Sequence, residues 1–573
     1  MLDANDLQAA REAAAAHVGR HPRSAAGHFY LGVASQRAGD RPAALRSLGQ
    51  AFQSAPDKVL YAQHFGQALS GLAFSHYDEP LAELLRHLIE MGVVSPANYR
   101  RAVIGLLKRH PRIAAALSSD GEADLDAFAD VPLLLAFLVV EPIGDPDLEP
   151  AFERLRRSVL DRVAAGRFEP RHLPFAAALA CQCFLVEYVM PTLAEEAETL
   201  ATLIANLTSI GPDHPDVPAL AAAVGCYRGL ATVVDETLTH ALAGRPEVAT
   251  LVRLQIQEPI DERSLARGLD SLTDVNDTVS RAVRDQYEAN PYPRWTCGTP
   301  FVAHETVERS VQDHVGYPLE AIDWPTAPRI LVAGCGTGQQ IVQTATRFAD
   351  ASIVAVDLSR ASLAYAKRKA HELGLANVGF HHADLLALQP ADGVFDVVQS
   401  TGVLHHLADP MAGWQNLVRC TRPGGLLQIG LYSRTARRDI ARVRDLLAAR
   451  GITGTGEGIV EARRTVVALA RAGDVECGRL AVSRDFASAS GCRDLILHEQ
   501  EHLFTLPEIE AALDALGLRF LGMELPNTDV LRWVEGRWGD LEPCRSLAFW
   551  HAVEQRNPDL FARMYVFWCQ RTD

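Results

Sequence analysis

The chain has 573 residues, too many for one hydrophobic core, so two to four domains are expected. It is 48% hydrophobic and 22% charged, an ordinary globular balance. A formal net charge of −16 argues against a nucleic-acid partner, whose footprint shows as a basic excess. The opening "MLDANDLQAA" has acidic residues and no basic run ahead of an apolar one, so it does not read as a secretory signal. The most apolar stretch, "LLLAFLVV" at 133–140, lies between Pro132 and Pro142 and is too short to span a bilayer; it reads as a buried helix, and no membrane partner is expected. Ten cysteines are scattered without a C-x-x-C pair, which reads as reduced thiols of a cytoplasmic protein with no metal site.

The first 275 residues are rich in Ala and Leu at helical spacing. From Ala25 to Lys58 they resemble a tetratricopeptide repeat, with Leu31, Gly32, Ala44, Leu48, Ala51 and Pro56 at its small and apolar signature positions. His28 and Ser35 replace the usual aromatics. Residues 59–90, with Phe65 and Gly66 in the Leu-Gly slots, read as a degenerate second copy. The expected domains are tetratricopeptide-like repeats at 1–120, a further helical domain at 121–275, and a third domain at 276–573. Helical repeats of this kind imply a protein or peptide partner.

Beyond 275 the pattern becomes short apolar runs alternating with helices, the mark of a parallel sheet covered on both faces. The runs are "RILVAG", "SIVAVD", "VGFHHAD", "FDVVQST", "GGLLQIGLY" and, far downstream, "LRFLGMEL". The first ends in Gly334-Cys335-Gly336-Thr337-Gly338-Gln339 and feeds a helix. Glycines there allow unusual backbone angles and the close approach of a nucleoside ligand. A dinucleotide fingerprint needs its third glycine at 339, which is Gln. The second run ends in Asp357, placed to accept both hydroxyls of a ribose. The third ends in Asp384 and Leu385, which suit an adenine's exocyclic amine and ring.

This succession, with "VLHHL" and "RPGG" following in order, resembles a class I S-adenosylmethionine-dependent methyltransferase over about 297–435. "CQCFLVEYV", "QYEANPYPRW", "CRDLILHEQEHLFTLPEI" and "MYVFWCQ" extend the likeness to a bacterial group that joins tetratricopeptide repeats to such a domain. The resemblance implies an all-α N-terminal region followed by an α/β Rossmann-like domain, its core at 297–435 and 515–573, with a helical lid insertion at 436–514. It implies S-adenosylmethionine as cofactor, bound by Gly334, Cys335, Gly336, Gly338, Gln339, Asp357, Leu358, Asp384, Leu385, Ser400 and Thr401. One departure is Val332, where many relatives carry an acidic residue near the cofactor's ammonium; carbonyls of Gly334 and of the Ser400–Thr401 strand end are left to hold that group.

His405 and His406 follow the fourth strand at the ligand edge and are candidate bases, His406 first. Tyr287, Tyr292 and Arg294 precede the first strand, and Tyr287 is placed to contact the sulfonium. In the insertion, Arg437, Arg438, Arg442, Arg444 and Arg450 offer positive charge to an anionic substrate or a solvated helix face. "HEQEH" at 498–502 fits a zinc-protease pattern if helical, but Pro507 follows closely and no third ligand is evident. Arg493, His498, Glu501 and His502 are instead read as polar groups toward the substrate, or as hydrogen bonds that hold the lid. The expected activity is methyl transfer to a protein, peptide or small-molecule acceptor; a non-catalytic S-adenosylmethionine sensor is the alternative.

Overall fold

A computed structural model describes residues 7–118, 124–298, 300, 304–320, 322–389, 393–525 and 529–572. The chain divides into two units. One comprises Met1–Ile260 with Trp295–Val302 and Ala481–Ala489, and the other comprises Asp261–Arg294, Ala303–Leu480 and Ser490–Asp573.

The first unit is helical, and its helices start where the sequence supplies caps. Helix α1 (Ala25–Arg37) begins at Ser24, whose Oγ accepts the Gly27 N–H at 3.1 Å. Helix α2 (Arg41–Ser54) begins at Asp40, whose carboxylate accepts the Ala43 N–H at 3.1 Å. The two pack closely because Gly32 has no side chain: a Cβ there would sit 2.6 Å from Leu48 Cγ. Ala44, Leu48 and Ala51 are buried in the same seam. Helices at Val59–Ala68 and Glu79–Met91 follow. The apolar stretch after Pro132 is a short helix burying Leu133, Leu134, Phe137 and Leu138. All ten cysteines are free thiols, and Cys181 and Cys183 are fully buried in the helix Leu173–Leu185. Among the described residues no helix is long and apolar enough to cross a membrane.

The second unit is built on a seven-stranded sheet of β1 (Arg329–Ala333), β2 (Ser352–Asp357), β3 (Val378–His382), β4 (Phe395–Thr401), β5 (Thr421–Leu431), β6 (Leu518–Met523) and β7 (Tyr565–Arg571). Its order is β3-β2-β1-β4-β5-β7-β6, with β1 to β5 parallel and β7 antiparallel to both neighbours. Strand β7 lies outside the six apolar runs of the sequence. Both its faces are covered, so "YVFWCQR" shows no alternation that would mark it. The Pro-Gly-Gly at 423–425 sits inside β5 at a break in register, between the pairs Phe395↔Thr421 and Val397↔Leu426, and not in a turn ahead of the strand. Residues 270–272 add a short ladder outside β3, with His382 N–H on Asp270 O and Leu272 N–H on His382 O, each at 2.9 Å. Asp261–Arg294 groups with this unit.

Strand order reverses at β1, with β2 and β3 to one side and β4 and β5 to the other. Parallel sheets of this kind open a crevice at the carboxyl ends of the strands where the order switches. Helix α3 (Thr278–Ala289), capped by Asp277, precedes the sheet. Helix α4 (Gln339–Arg347) follows β1 and α5 (Arg360–Glu372) follows β2. An insertion after β5 brings helices at Arg438–Ala449 and Glu457–Arg471.

The α1–α2 seam yields a stability prediction. Alanine gains about 1 kcal/mol over glycine inside a helix, but overpacking a close seam costs about 1–3 kcal/mol. Since a Cβ at Gly32 would also meet the Leu48 backbone N at 3.0 Å, the cost should win. Gly32→Ala is expected to lower the melting temperature of the helical unit, and Gly32→Val to lower it further. An unchanged melting curve for both would show that the two helices are not held at this spacing.

Candidate functional site

At the end of β1 the chain turns through three glycines of positive φ: Gly334 at 77°, Gly336 at 52° and Gly338 at 89°. Each is needed for a different reason. A Cβ on Gly334 would lie 2.3 Å from Val403, and one on Gly338 would lie 2.8 Å from Ala366 in α5. Those two glycines serve close packing within the protein. At Gly336 the nearest atom to a would-be Cβ is the Tyr292 carbonyl oxygen, a tight 3.3 Å away. Its N–H donates to Asp357 Oδ2 at 2.7 Å, while Ser359 N–H donates to Asp357 Oδ1 at 2.9 Å. The carboxylate at the end of β2 thereby fixes the turn at the end of β1. Burial pushes the Asp357 carboxyl up to about 6, against the pull of those two amides. Cys335 is buried, and burial, with Asp357 beside it, holds its thiol well above the usual range, so it is no nucleophile. Gln339 opens α4, and Leu358 lends its carbonyl to His382 Nε2 at 3.0 Å.

The other cofactor candidates line the same edge. Asp384 is buried; its Oδ1 accepts Leu386 N–H at 2.9 Å and its own N–H donates to Thr273 Oγ1 at 2.8 Å. Leu385 is buried, with its carbonyl held by Asn416 Nδ2 at 2.9 Å. Ser400 Oγ is buried without a hydrogen-bond partner among the described residues. Thr401 Oγ1 donates to Gln340 Oε1 at 2.7 Å. Val332 is fully buried in β1, so that position offers only its backbone.

On the β4–β5 side, α3 meets the strap at 490–504. Tyr287 Oη donates to Asp494 Oδ1 at 2.6 Å and lies 3.1 Å from His498 Nε2. Burial, with Asp494 beside it, holds the phenol well above its usual range. His406 Nδ1 donates to Gln500 O at 2.8 Å, and its ring stacks on His498 at 3.7 Å between centroids. Burial, first among several causes, pushes His406 down to about 3, and it pushes His405 and His498 well below the histidine range; all three are neutral. His405 lies on Tyr432 at 3.9 Å, and neither of its ring nitrogens has a partner among the described residues.

The remaining candidates are engaged within the strap. Arg493 donates to Asn290 Oδ1 at 3.1 Å and Glu499 Oε1 at 3.2 Å. Glu501 pairs with Arg437 at 3.0 Å and Arg444 at 3.2 Å. His502 N–H donates to His405 O at 2.7 Å. Arg442 pairs with Asp474 and Glu476, and Arg438 with Asp559, so these insertion arginines are neutralised locally. The "HEQEH" motif lies past the helix Ala489–Ile496, so His498 and His502 do not share a helical face. The Tyr292 carbonyl oxygen would lie 3.3 Å from a Cβ at Gly336, and the Arg294 guanidinium lies 5.9 Å from the Tyr365 ring. Asp494 is the member of this cluster that sequence reasoning passed over; its signal was an acidic residue within the apolar "DLIL".

Residues 330–425 match the family model of a methyltransferase domain. An uncharacterized protein of Synechococcus is 29% identical over 308 residues, 50% of this chain and 70% of that protein. The 27-O-demethylrifamycin SV methyltransferase of Amycolatopsis mediterranei is 32% identical over 114 residues, 20% of this chain and 40% of its own length, so the chain spans under half of that enzyme. Among solved structures, PKMT2 from Rickettsia typhi in complex with AdoHcy aligns over 46% of this chain and 52% of that one, at 13% identity and a TM-score of 0.35.

Residues 330–425 of the second unit thus match a methyltransferase domain, for which S-adenosylmethionine is the expected cofactor. The residues fit that group: Ser400 Oγ lacks a partner among the described residues, and each Asp357 oxygen keeps a further lone pair for a ribose hydroxyl.

Two outcomes are expected. Asp357→Ala removes the ribose acceptor and frees the turn, so affinity for S-adenosylhomocysteine should fall at least about tenfold, since a bond to a charged group is worth ~1.5–3 kcal/mol. The carboxyl's elevated position near 6 also means that protonation competes with the ligand as pH falls. Affinity should be flat above pH 7 and drop about tenfold by pH 5 in the native protein, a slope that Asp357→Asn removes. Calorimetric titration at both pH values checks both.

Proposed function

We propose that the protein transfers a methyl group from S-adenosylmethionine to a protein, peptide or small-molecule acceptor by in-line displacement. The observation that carries this reading is the Asp357 carboxylate bound to the Gly336 amide in the glycine turn, within the stretch that matches a methyltransferase domain. When bound, the cofactor supplies an electrophilic methyl on a sulfonium. The chain's own task is then to hold the acceptor in line and to exclude water. Gly334, Gly336, Gly338, Asp357, Asp384 and Leu385 hold the adenosyl part. With Val332 apolar, carbonyls at Gly334 and the Ser400–Thr401 strand end hold the ammonium. Tyr287, His405 and His406 line the side from which an acceptor enters. The helical unit recruits a protein acceptor, which favours a polypeptide over a free metabolite.

Calorimetry with S-adenosylmethionine tests the first step, with one site per chain expected; absence of binding rejects the reading. Transfer of labelled methyl into a bacterial lysate tests the second. Label in a macromolecule supports a protein acceptor, and label in the small-molecule pool supports a metabolite. Cofactor binding without any transfer would leave only a non-catalytic sensor.

A further inference from the structure

We propose that Glu524, acting through the side-chain amides of Gln428 and Gln340, fixes the Thr401 hydroxyl as a group that only accepts hydrogen bonds, and so makes the end of β4 the seat of the cofactor's ammonium. The inference rests on the methyl-transfer reading above and names the positioning residues that choose which end of the cofactor's amino acid lies there.

A row of amides joins α4 and the strands β4 and β5 to the end of β6. Thr401 Oγ1 donates to Gln340 Oε1 at 2.7 Å, and Gln340 Nε2 donates to Gln428 Oε1 at 3.1 Å. A second branch reaches the same oxygen. Thr344 Oγ1 donates to Gln399 Oε1 at 2.8 Å, and Gln399 Nε2 donates to Gln428 Oε1 at 3.0 Å. Gln428 Nε2 then donates to Glu524 Oε2 at 2.7 Å. Glu524 follows β6, with its own N–H on Val566 O at 2.8 Å. Thr344, Gln399 and Gln428 are buried, so an amide or hydroxyl turned the wrong way there would leave buried polar atoms unpaired.

One anion sets the direction of every bond in the row. A carboxylate only accepts, so Gln428 turns its NH2 to Glu524 and its oxygen to the other two glutamines. Each of those turns its NH2 to Gln428 and its oxygen to a threonine. Thr401 has one hydroxyl hydrogen, and Gln340 takes it, so its oxygen keeps only lone pairs. His314 does not reverse this. Its Nε2 lies 3.8 Å from Glu524 Oε1 but accepts an Arg347 N–H at 3.2 Å, so that nitrogen has no proton to give the carboxylate. Gln399 pairs with Val332 in the sheet, which puts Thr401, half-buried at the carboxyl end of β4, level with Gly334 where the turn begins. An ammonium offers only hydrogens and a carboxylate only lone pairs. A hydroxyl held as an acceptor therefore takes the first and repels the second. Val332 supplies no acid to this end of the crevice; Glu524 supplies one from three hydrogen bonds away, and each amide between them is polarised by the next.

Calorimetric titration of S-adenosylhomocysteine into the full-length protein and its variants tests this. Thr401→Val should weaken binding about tenfold, the scale of a hydrogen bond to a charged group, and Glu524→Gln, which lets the row reverse, about threefold. The two losses should not add: the double variant should bind no more weakly than Thr401→Val alone. Thr344→Val cuts the branch that does not reach Thr401, so it should lower the melting temperature and leave the affinity at the native value. Methylthioadenosine, which lacks the amino-acid end, should bind the native protein and all these variants alike. Additive losses, a loss in Thr344→Val as large as that in Glu524→Gln, or an equal loss with methylthioadenosine would overturn the assignment and leave the row as a support of the fold. Unchanged affinity in Thr401→Val overturns it as well. Failure of the native protein to bind S-adenosylhomocysteine removes the methyl-transfer reading itself, a result distinct from any change among the variants.

Discussion

The site depends on one contact: the bond from the Gly336 amide to the Asp357 carboxylate. It joins the turn after β1 to the end of the neighbouring strand β2, and it does so at a residue whose backbone is left-handed. A side chain at 336 would crowd the Tyr292 carbonyl and cover the turn. Without an acid at 357 the amide would lose its acceptor. Glycine and aspartate are therefore one device, and it leaves a buried carboxylate with a further lone pair on each oxygen. Gly334 and Gly338 serve the same end indirectly, because Val403 and Ala366 occupy the space their side chains would need. The turn is thus pressed closely against its neighbours at Gly334 and Gly338.

The opposite half of the crevice is organised by a strap rather than by the sheet. Residues 502–504 run beside the end of β5, with Phe504 N–H on Tyr432 O at 2.9 Å and Arg434 N–H on Phe504 O at 2.8 Å. Gln500 fixes His406 through its carbonyl and His498 through its amide, so the backbone of a single residue sets both tautomers. Of the insertion arginines, Arg437 and Arg444 hold this strap through Glu501, while Arg438 and Arg442 pair with Asp559, Asp474 and Glu476 elsewhere.

Much of the sheet was legible in the residues because parallel strands covered on both faces are written as bare apolar runs, and each ran into a recognisable turn or acid. Asp357, Asp384 and the glycines announce themselves by position after those runs. Strand β7 did not, because "YVFWCQR" lies far from its partners and shares its apolar character with any buried segment. The edge ladder at 270–272 was hidden for another reason: Asp270, Ser271 and Leu272 look like linker and pair only through their backbone. At the site, the importance of Asp494 is a tertiary fact. Its neighbour Tyr287 lies 207 residues away in sequence, and no local pattern links them. The histidines of "HEQEH" suggested a helix with a shared face, and the helix ends at Ile496 before reaching them.

A structure of the full chain with S-adenosylhomocysteine tests the central claim most directly. The account predicts the ribose hydroxyls on the Asp357 carboxylate, the adenine beside Asp384 and Leu385, and the sulfur turned toward His406, with the Gly336–Asp357 contact intact. A cleft filled by protein side chains, or a ligand bound away from Asp357, would contradict it.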